Sequence, residues 1–179
     1  MSMIGTSQLD EAVQDKGITQ PNEIFNEVRK GFIDSLKQTG KQGEHKDGMD
    51  AVLCAWDKKN NLEVAAAFNP FIMIRDGEIK EIRPDKMPVG LHTGEQKPYT
   101  HHELELKKGD VVYLFSDGFP DQFGGPKGKK FKSRNFKNLL LSIHQKEMTE
   151  QKSVLNTTIN EWMREVEQVD DILVIGVRF

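Results

Sequence analysis

Three aspartates flank the two most apolar strand-like runs of the chain. Asp117 follows VVYLF, and Asp170 and Asp171 directly precede ILVIGV. If these runs are antiparallel neighbours, the three carboxylates converge at one sheet edge, where they repel each other unless a cation lies between them. Oxygen ligands of this kind favour Mg²⁺ or Mn²⁺ over zinc. The alternative, which placement alone favours, is that acidic residues at strand ends are ordinary solvated turn residues.

The loop SDGFPDQFGG after VVYLF is more specific than any single aspartate. Gly118 permits a sharp turn that aims Asp117 away from the strand. Asp121 either caps a short helix after it or supports a metal ligand from behind. The basic stretch from Lys127 to Lys137 is typical of a solvated face, and its functional alternative is attraction of a phosphorylated substrate.

Histidine and cysteine give weaker signals. His101 and His102 are adjacent on a predicted strand, so they point to opposite faces and do not easily share a metal. Cys54 lies inside an apolar strand, which predicts a small buried and unreactive side chain. The sequence contains no glycine-rich phosphate loop, serine elbow or cysteine-based zinc motif.

Composition limits the class of protein. The 179 residues are enough for one domain with a real core, so we expect a single domain over 1–179. The net charge of −3, from 25 basic and 28 acidic residues, argues against nucleic acid or an anionic membrane as partner. A single cysteine indicates a reducing, cytoplasmic compartment. No apolar run approaches the roughly 20 residues of a membrane helix, and no signal peptide is expected.

The elements that must position these side chains follow from periodicity and turn chemistry. Helices are predicted at 1–15, stopped by Gly17, and from Pro21 to Gln38, then at 136–145 and from Met148 or Thr149. A polar loop is expected at 39–50, including Asp47-Gly48-Met49-Asp50 as a turn, and another at 84–96. A β-meander begins at Ala51. Its predicted strands are AVLCAWD, LEVAAAF and FIMIR, with a hairpin turn at Arg75-Asp76-Gly77-Glu78, then residues 100–106, VVYLF in the centre of a sheet, and the C-terminal run. This order predicts an antiparallel α+β fold.

Several segments together resemble the SpoIIE-type branch of the metal-dependent serine/threonine protein phosphatases (PPM, type 2C). They are DGMDAVLCAWD, FNPFIMIRDGEI, DKMPVG, LKKGDVVYLFSDGFPDQFGG, KKF and QVDDILVIGV, in order along nearly the whole chain. The resemblance implies an antiparallel β-sandwich flanked by helices. It implies two Mn²⁺ or Mg²⁺ ions that activate a water against phosphoserine or phosphothreonine, with no phospho-enzyme.

Carried over residue by residue, the resemblance makes Asp117 and Asp170 the metal ligands and catalytic carboxylates. Asp171 becomes a neighbour, with Gly118 and Asp121 in the supporting loop. It also implies a phosphoprotein substrate, a sensor or receiver module in the full-length protein, and a role in bacterial signalling.

One departure concerns the start of the chain. The family has an Asp-x-Thr-Gly-His-Gly loop just before the helix that resembles MSMIG, and its Asp bridges both metals. Because this loop and the hairpin before it are absent from the 179 residues, we expect the chain alone to be inactive and to associate, as a homodimer or otherwise. The competing hypothesis is a non-catalytic phosphoprotein-binding or dimerisation module with the same fold.

Overall fold

The computed structural model describes residues 2–39, 48–92 and 94–179. Contacts between Cα atoms divide the chain into two compact units, one of Met1–Pro70 and Ile82–Leu106 and the other of Phe71–Glu81 and Lys107–Phe179. The single domain over 1–179 stays a prediction. In chain order the elements are α1 (Ser2–Asp10), a π-helical turn (Glu11–Asp15), α2 (Pro21–Ser35), β1 (Gly48–Met49), β2 (Ala51–Trp56), β3 (Asn61–Ala67), β4 (Phe71–Arg75), β5 (Glu78–Ile82), β6 (Val89–Gly90), β7 (His102–Glu105), β8 (Val111–Phe115), α3 (Gly118–Asp121), β9 (Phe123–Gly124), β10 (Lys129–Lys130), α4 (Ser133–Ile143), α5 (Met148–Met163) and β11 (Val174–Arg178).

The helices of the first unit begin and end as their sequences indicate. The first helix widens into the π-helical turn and ends before Gly17, whose φ of +65° suits glycine. Pro21 occupies the first turn of α2, where the missing N–H costs no hydrogen bond. The apolar face of α2, with Phe25, Val28 and Phe32, is buried in the same cluster as small residues of β3.

The sheet of the first unit has the antiparallel order β2-β3-β7. The short strands β1 and β6 pair with each other, so Gly48 and Met49, predicted as part of a loop, are strand residues. Residues 40–47 of that predicted loop lie outside the described residues.

The sheet of the second unit has the order β11-β8-β4-β5, and β8 is central as predicted. One face of this sheet carries Ile72, Ile74, Val111 and Tyr113, which cluster with the apolar stripes of α4 and α5. The Tyr113 hydroxyl donates to Gln151 Oε1 at 2.6 Å, so a buried hydrogen bond links β8 to α5 inside this core.

The predicted meander is correct for its strands and wrong for one of its pairings. Strand β3 pairs with β2 and β7, whereas β4 belongs to the other sheet, where it pairs with β8. The break falls at Phe68-Asn69-Pro70: Phe68 has a φ of +57°, and Pro70 has no N–H to offer a ladder. The next turn is the predicted hairpin, since Asp76 and Gly77 have φ of +51° and +75° as a type I′ turn requires.

Candidate active site

Strands β8 and β11 are antiparallel neighbours, with Val174 opposite Phe115. The pairing continues past the strand ends, where the Ser116 N–H donates to the Leu173 carbonyl at 3.1 Å. The end of β8 and the start of β11 therefore lie at the same edge of the sheet, which confirms the expected backbone arrangement. The segment that carries Asp117 runs beside the segment that carries Asp170 and Asp171.

Ser116 links the two segments through its side chain. Its hydroxyl donates to the Asp171 carbonyl at 2.6 Å and accepts from the Leu173 N–H at 3.0 Å. One hydroxyl thus forms hydrogen bonds with a backbone carbonyl and a backbone N–H just beyond the paired residues of the two strands. Sequence reasoning did not single out Ser116, and its position directly before Asp117 is the only signal that points to it.

Gly118 allows the closest approach at this edge. A Cβ atom on residue 118 would lie 2.3 Å from the Asp171 carbonyl oxygen and 2.8 Å from the carbonyl carbon. Gly118 is the first residue of α3 and has no left-handed φ, so the expected glycine turn is instead a direct entry from strand to helix. The absence of a side chain, rather than backbone freedom, is what this position requires.

The carboxylates at this edge are exposed. Asp117 stands at the N-cap position of α3, where its carbonyl accepts the Asp121 N–H at 2.9 Å and its side chain makes no capping bond. Within the described part of the chain, the Asp117 carboxylate has no hydrogen-bond or ion-pair partner. One oxygen of Asp170 accepts the Asp171 N–H at 2.7 Å, which orients that carboxylate. Solvent-facing carboxylate oxygens with free lone pairs fit a hard divalent cation.

Asp121 is not a cap for a following helix. It is the last residue of α3, and the next helix in the chain is α4 at Ser133. Its carboxylate forms an ion pair with Lys130 at 2.7 Å. Its proposed support of a metal ligand stays a prediction.

Comparison with known proteins identifies the family. A sequence model of Stage II sporulation protein E (SpoIIE) matches residues 2–179. The chain belongs to the SpoIIE family. This confirms the resemblance seen in the sequence. No curated protein matches this SpoIIE-family chain.

Solved structures agree on the fold. The SiaA-PP2C domain of Pseudomonas aeruginosa matches with a TM-score of 0.85 and 28% identity, over 99% of this chain and 68% of that one. The catalytic domain of the serine/threonine protein phosphatase PstP, in complex with two manganese ions, matches with a TM-score of 0.61 and 17% identity, over 98% and 78%. The RsbU and RsbW domains of Rv1364c from Mycobacterium tuberculosis match with a TM-score of 0.66 and 18% identity, over 97% and 46%. The predicted α+β class of helices with antiparallel sheets is confirmed as a PP2C phosphatase fold.

A second set of metal-type ligands lies in the first unit of this SpoIIE-family chain. Glu63 of β3 stands opposite Glu103 of β7, and His101 Nε2 lies 3.0 Å from Glu63 Oε2. One ligand atom from each of the three residues lies within 4.8 Å of the others. Sequence analysis dismissed the histidines because it asked only whether His101 and His102 share a face. The alternation that separates those two also places His101 with Glu103, but the register with Glu63 is a tertiary feature.

Two remaining sequence predictions concern reactivity and membranes. Cys54 is partly exposed rather than buried as predicted. Desolvation by its surroundings still raises the pKa of the thiol to about 12, so the thiolate is scarce at neutral pH, as expected for an unreactive cysteine. Among the described residues, no helix has the length and apolar character needed to cross a membrane.

Proposed function

We propose that this chain is the major part of a metal-dependent protein serine/threonine phosphatase that acts in bacterial signalling in the cytoplasm. The observation that carries the proposal is the edge where β8 and β11 bring the Asp117 and Asp170 segments side by side, with the Asp117 carboxylate unengaged by described residues. Membership in the SpoIIE family supports phosphate-ester hydrolysis as the reaction.

Asp117 and Asp170 are proposed as the ligands that would hold Mn²⁺ or Mg²⁺ at this edge. Ions bound there supply an activated water and neutralise the phosphoryl oxygens of the substrate. The chain's own residues orient the ligands: Ser116 and Gly118 fix the two backbones against each other, and the Asp171 N–H fixes the Asp170 carboxylate. Manganese is a reasonable first choice, because the PstP catalytic domain was solved with two manganese ions.

The proposed ligand set is incomplete within these 179 residues. The sequence contains no Asp-x-Thr-Gly-His-Gly motif, so the carboxylate expected to bridge two ions has no counterpart here. We therefore propose that the 179-residue chain holds at most one weakly bound ion and is inactive by itself. Mg²⁺ should bind less well than Mn²⁺, since it dehydrates reluctantly and demands near-ideal geometry.

Regulatory partners and self-association belong to the same proposal. Rv1364c carries RsbU and RsbW domains together, which favours phosphoproteins and regulatory modules of a signalling pathway as partners for this chain. A homodimer remains the expected form of the isolated chain and is checked by light scattering.

Manganese titration and phosphatase assays test the function. Isothermal titration of the 179-residue chain should show weak Mn²⁺ binding that disappears in Asp117→Asn and Asp170→Asn, because the amide keeps the shape and loses the charge. Asp76→Asn is the matched control: it changes an exposed aspartate in the β4–β5 turn to Asn-Gly, which suits the same turn type. In a longer chain that supplies an Asp-x-Thr-Gly-His-Gly segment, aryl phosphate hydrolysis should require Mn²⁺ or Mg²⁺.

Two results would overturn the enzyme assignment in different ways. Hydrolysis that survives both EDTA and Asp117→Asn excludes this metal site. A longer chain that binds phosphoprotein but shows neither Mn²⁺ binding nor hydrolysis favours the non-catalytic module instead.

A further inference from the structure

The segment after Asp117 is basic in a chain that is acidic overall. Residues 116–137 contain six lysines and arginines against two aspartates, whereas the whole chain has a net charge of −3. Its central part is the β9–β10 hairpin, in which Lys129 lies opposite Gly124. We call residues 123–134 the basic hairpin.

Two of the six cations of residues 116–137 are neutralised by neighbours. Lys130 pairs with Asp121 at 2.7 Å and lies 5.9 Å from the centre of the Phe123 ring. Lys137 pairs with Glu81 of β5 at 2.7 Å. The charge of these two side chains is therefore partly offset by neighbouring carboxylates, which leaves less of it for a partner.

The other four cations of this segment are exposed and form no ion pair with any described residue. They are Lys127, Lys129, Lys132 and Arg134. Four unpaired like charges on one short segment repel each other, which is a cost that a bound anion removes.

The basic hairpin is fastened to the segment that begins at Asp117. The Lys132 N–H donates to the Pro120 carbonyl at 2.7 Å, and the Phe131 N–H donates to the Gln122 carbonyl at 2.9 Å. On its other side the Gly125 N–H donates to the Trp162 carbonyl of α5 at 2.8 Å. The four cations are thus carried on a backbone anchored directly to α3, which starts immediately after Asp117.

We propose that the basic hairpin docks an acidic segment of the protein substrate beside the phosphorylated residue. This proposal rests on the proposed phosphatase function and gives its substrate a chemical class: phosphoserine or phosphothreonine flanked by Asp and Glu. Unpaired lysines and an arginine on an anchored hairpin attract carboxylates and so raise the local concentration of such a segment. The carboxylates at the adjacent edge provide the reaction site, and the hairpin provides selection among phosphoproteins.

The test is a binding measurement that needs no metal and no turnover. Fluorescence anisotropy in EDTA compares two labelled peptides, each with one phosphoserine, flanked by four Glu in one and by four Gln in the other. The 179-residue chain should bind the acidic peptide more tightly. Lys127→Gln with Lys129→Gln should weaken that binding roughly fivefold, the size expected from two exposed ion pairs, and weaken binding of the glutamine-flanked peptide much less.

The control removes the same charge elsewhere in the second unit. Lys107→Gln with Lys108→Gln changes two exposed lysines in the turn before β8, and should keep the preference for the acidic peptide. The preference should also shrink as salt rises from about 0.05 to 0.5 M, as the Debye length shortens. Because EDTA is present, failure of the phosphatase assay leaves this measurement intact.

Three outcomes would overturn the docking proposal. They are equal affinity of the parent chain for both peptides, an equal loss in the two double variants, and tighter binding of a single-stranded oligonucleotide or anionic vesicles that depends on Lys127 and Lys129. The last outcome would assign the hairpin to a nucleic acid or a membrane.

Discussion

Gly118→Ala tests whether the Asp117 and Asp171 segments are in contact. The added methyl would lie 2.3 Å from the Asp171 carbonyl oxygen, far inside van der Waals contact, and the obstacle is backbone that cannot rotate away. The start of α3 and the entry to β11 must therefore separate. That movement also stretches the two hydrogen bonds of the Ser116 hydroxyl, at 2.6 and 3.0 Å.

The size of the effect follows from the overlap. Overpacking of this kind costs about 1–3 kcal/mol of unfolding free energy. For a chain of this length each kcal/mol lowers the Tm by about 2–4 °C, so we expect a loss of about 2–12 °C. Urea denaturation and a thermal scan by circular dichroism measure both quantities. Manganese affinity should fall with them, because the segments that carry the proposed ligands move apart.

Gly5→Ala is the matched control for this substitution. A Cβ atom there would lie 3.5 Å from Phe32 Cζ, an ordinary contact, and residue 5 is inside α1. Alanine favours a helix interior over glycine by about 0.5–1 kcal/mol, so this variant should be as stable as the parent or more stable. A Gly118→Ala chain that matches the parent in stability would show that the two segments are not packed together, and the shared edge would have to be abandoned.

Three further predictions concern charge and reactivity. Arg75→Ala leaves the buried Asp110 carboxylate without its guanidinium and should cost about 3–5 kcal/mol in urea denaturation. The Arg75 hydrogen bond lowers the pKa of Asp110 in the folded chain. The difference in unfolding free energy between the parent and Arg75→Ala is therefore complete above the unfolded pKa of about 3.9 and shrinks as the pH falls below it. An undiminished difference at pH 2 would contradict the ion pair. Glu103→Gln removes the like charge opposite Glu63 and should stabilise by about 0.2–1 kcal/mol, whereas destabilisation that appears only with added Mn²⁺ or Zn²⁺ would reveal a cation between them. Cys54, with its pKa raised to about 12, should react with iodoacetamide at pH 8 about a thousandfold more slowly in the folded chain than in urea, by mass spectrometry; equal rates would refute the raised pKa.

Local chemistry made most of the elements predictable. The Asp76-Gly77 pair demanded a primed turn and forms one, and Pro21 marked the first turn of α2. The uninterrupted apolar run VVYLF predicted a central strand, because only a strand buried on both faces tolerates it. Placement of Asp117 and Asp170 at the ends of two such runs predicted that their segments meet if those two strands are antiparallel neighbours, a pairing that the structure shows.

The sequence did not determine which strands pair with each other. Alternation assigns a side chain to one face of a strand, but it says nothing about which strand lies beside it. For that reason the change of sheet at Phe68-Asn69-Pro70 and the pairing of Glu63 with Glu103 emerged only from the tertiary structure. The same limit applied to Asp121, whose ion pair with Lys130 depends on how the β9–β10 hairpin folds back.

The candidate site also has features that the sequence determined and features that only the tertiary structure determined. Residue types and spacing determined that aspartates, the proposed ligands, stand at the end of β8 and just before β11. The tertiary structure decided how closely those ends approach, through a glycine that admits the Asp171 carbonyl and a serine hydroxyl that holds it. Both are contacts between residues about 55 positions apart in the chain, and their energies depend on distances of a few tenths of an ångström that no local pattern encodes.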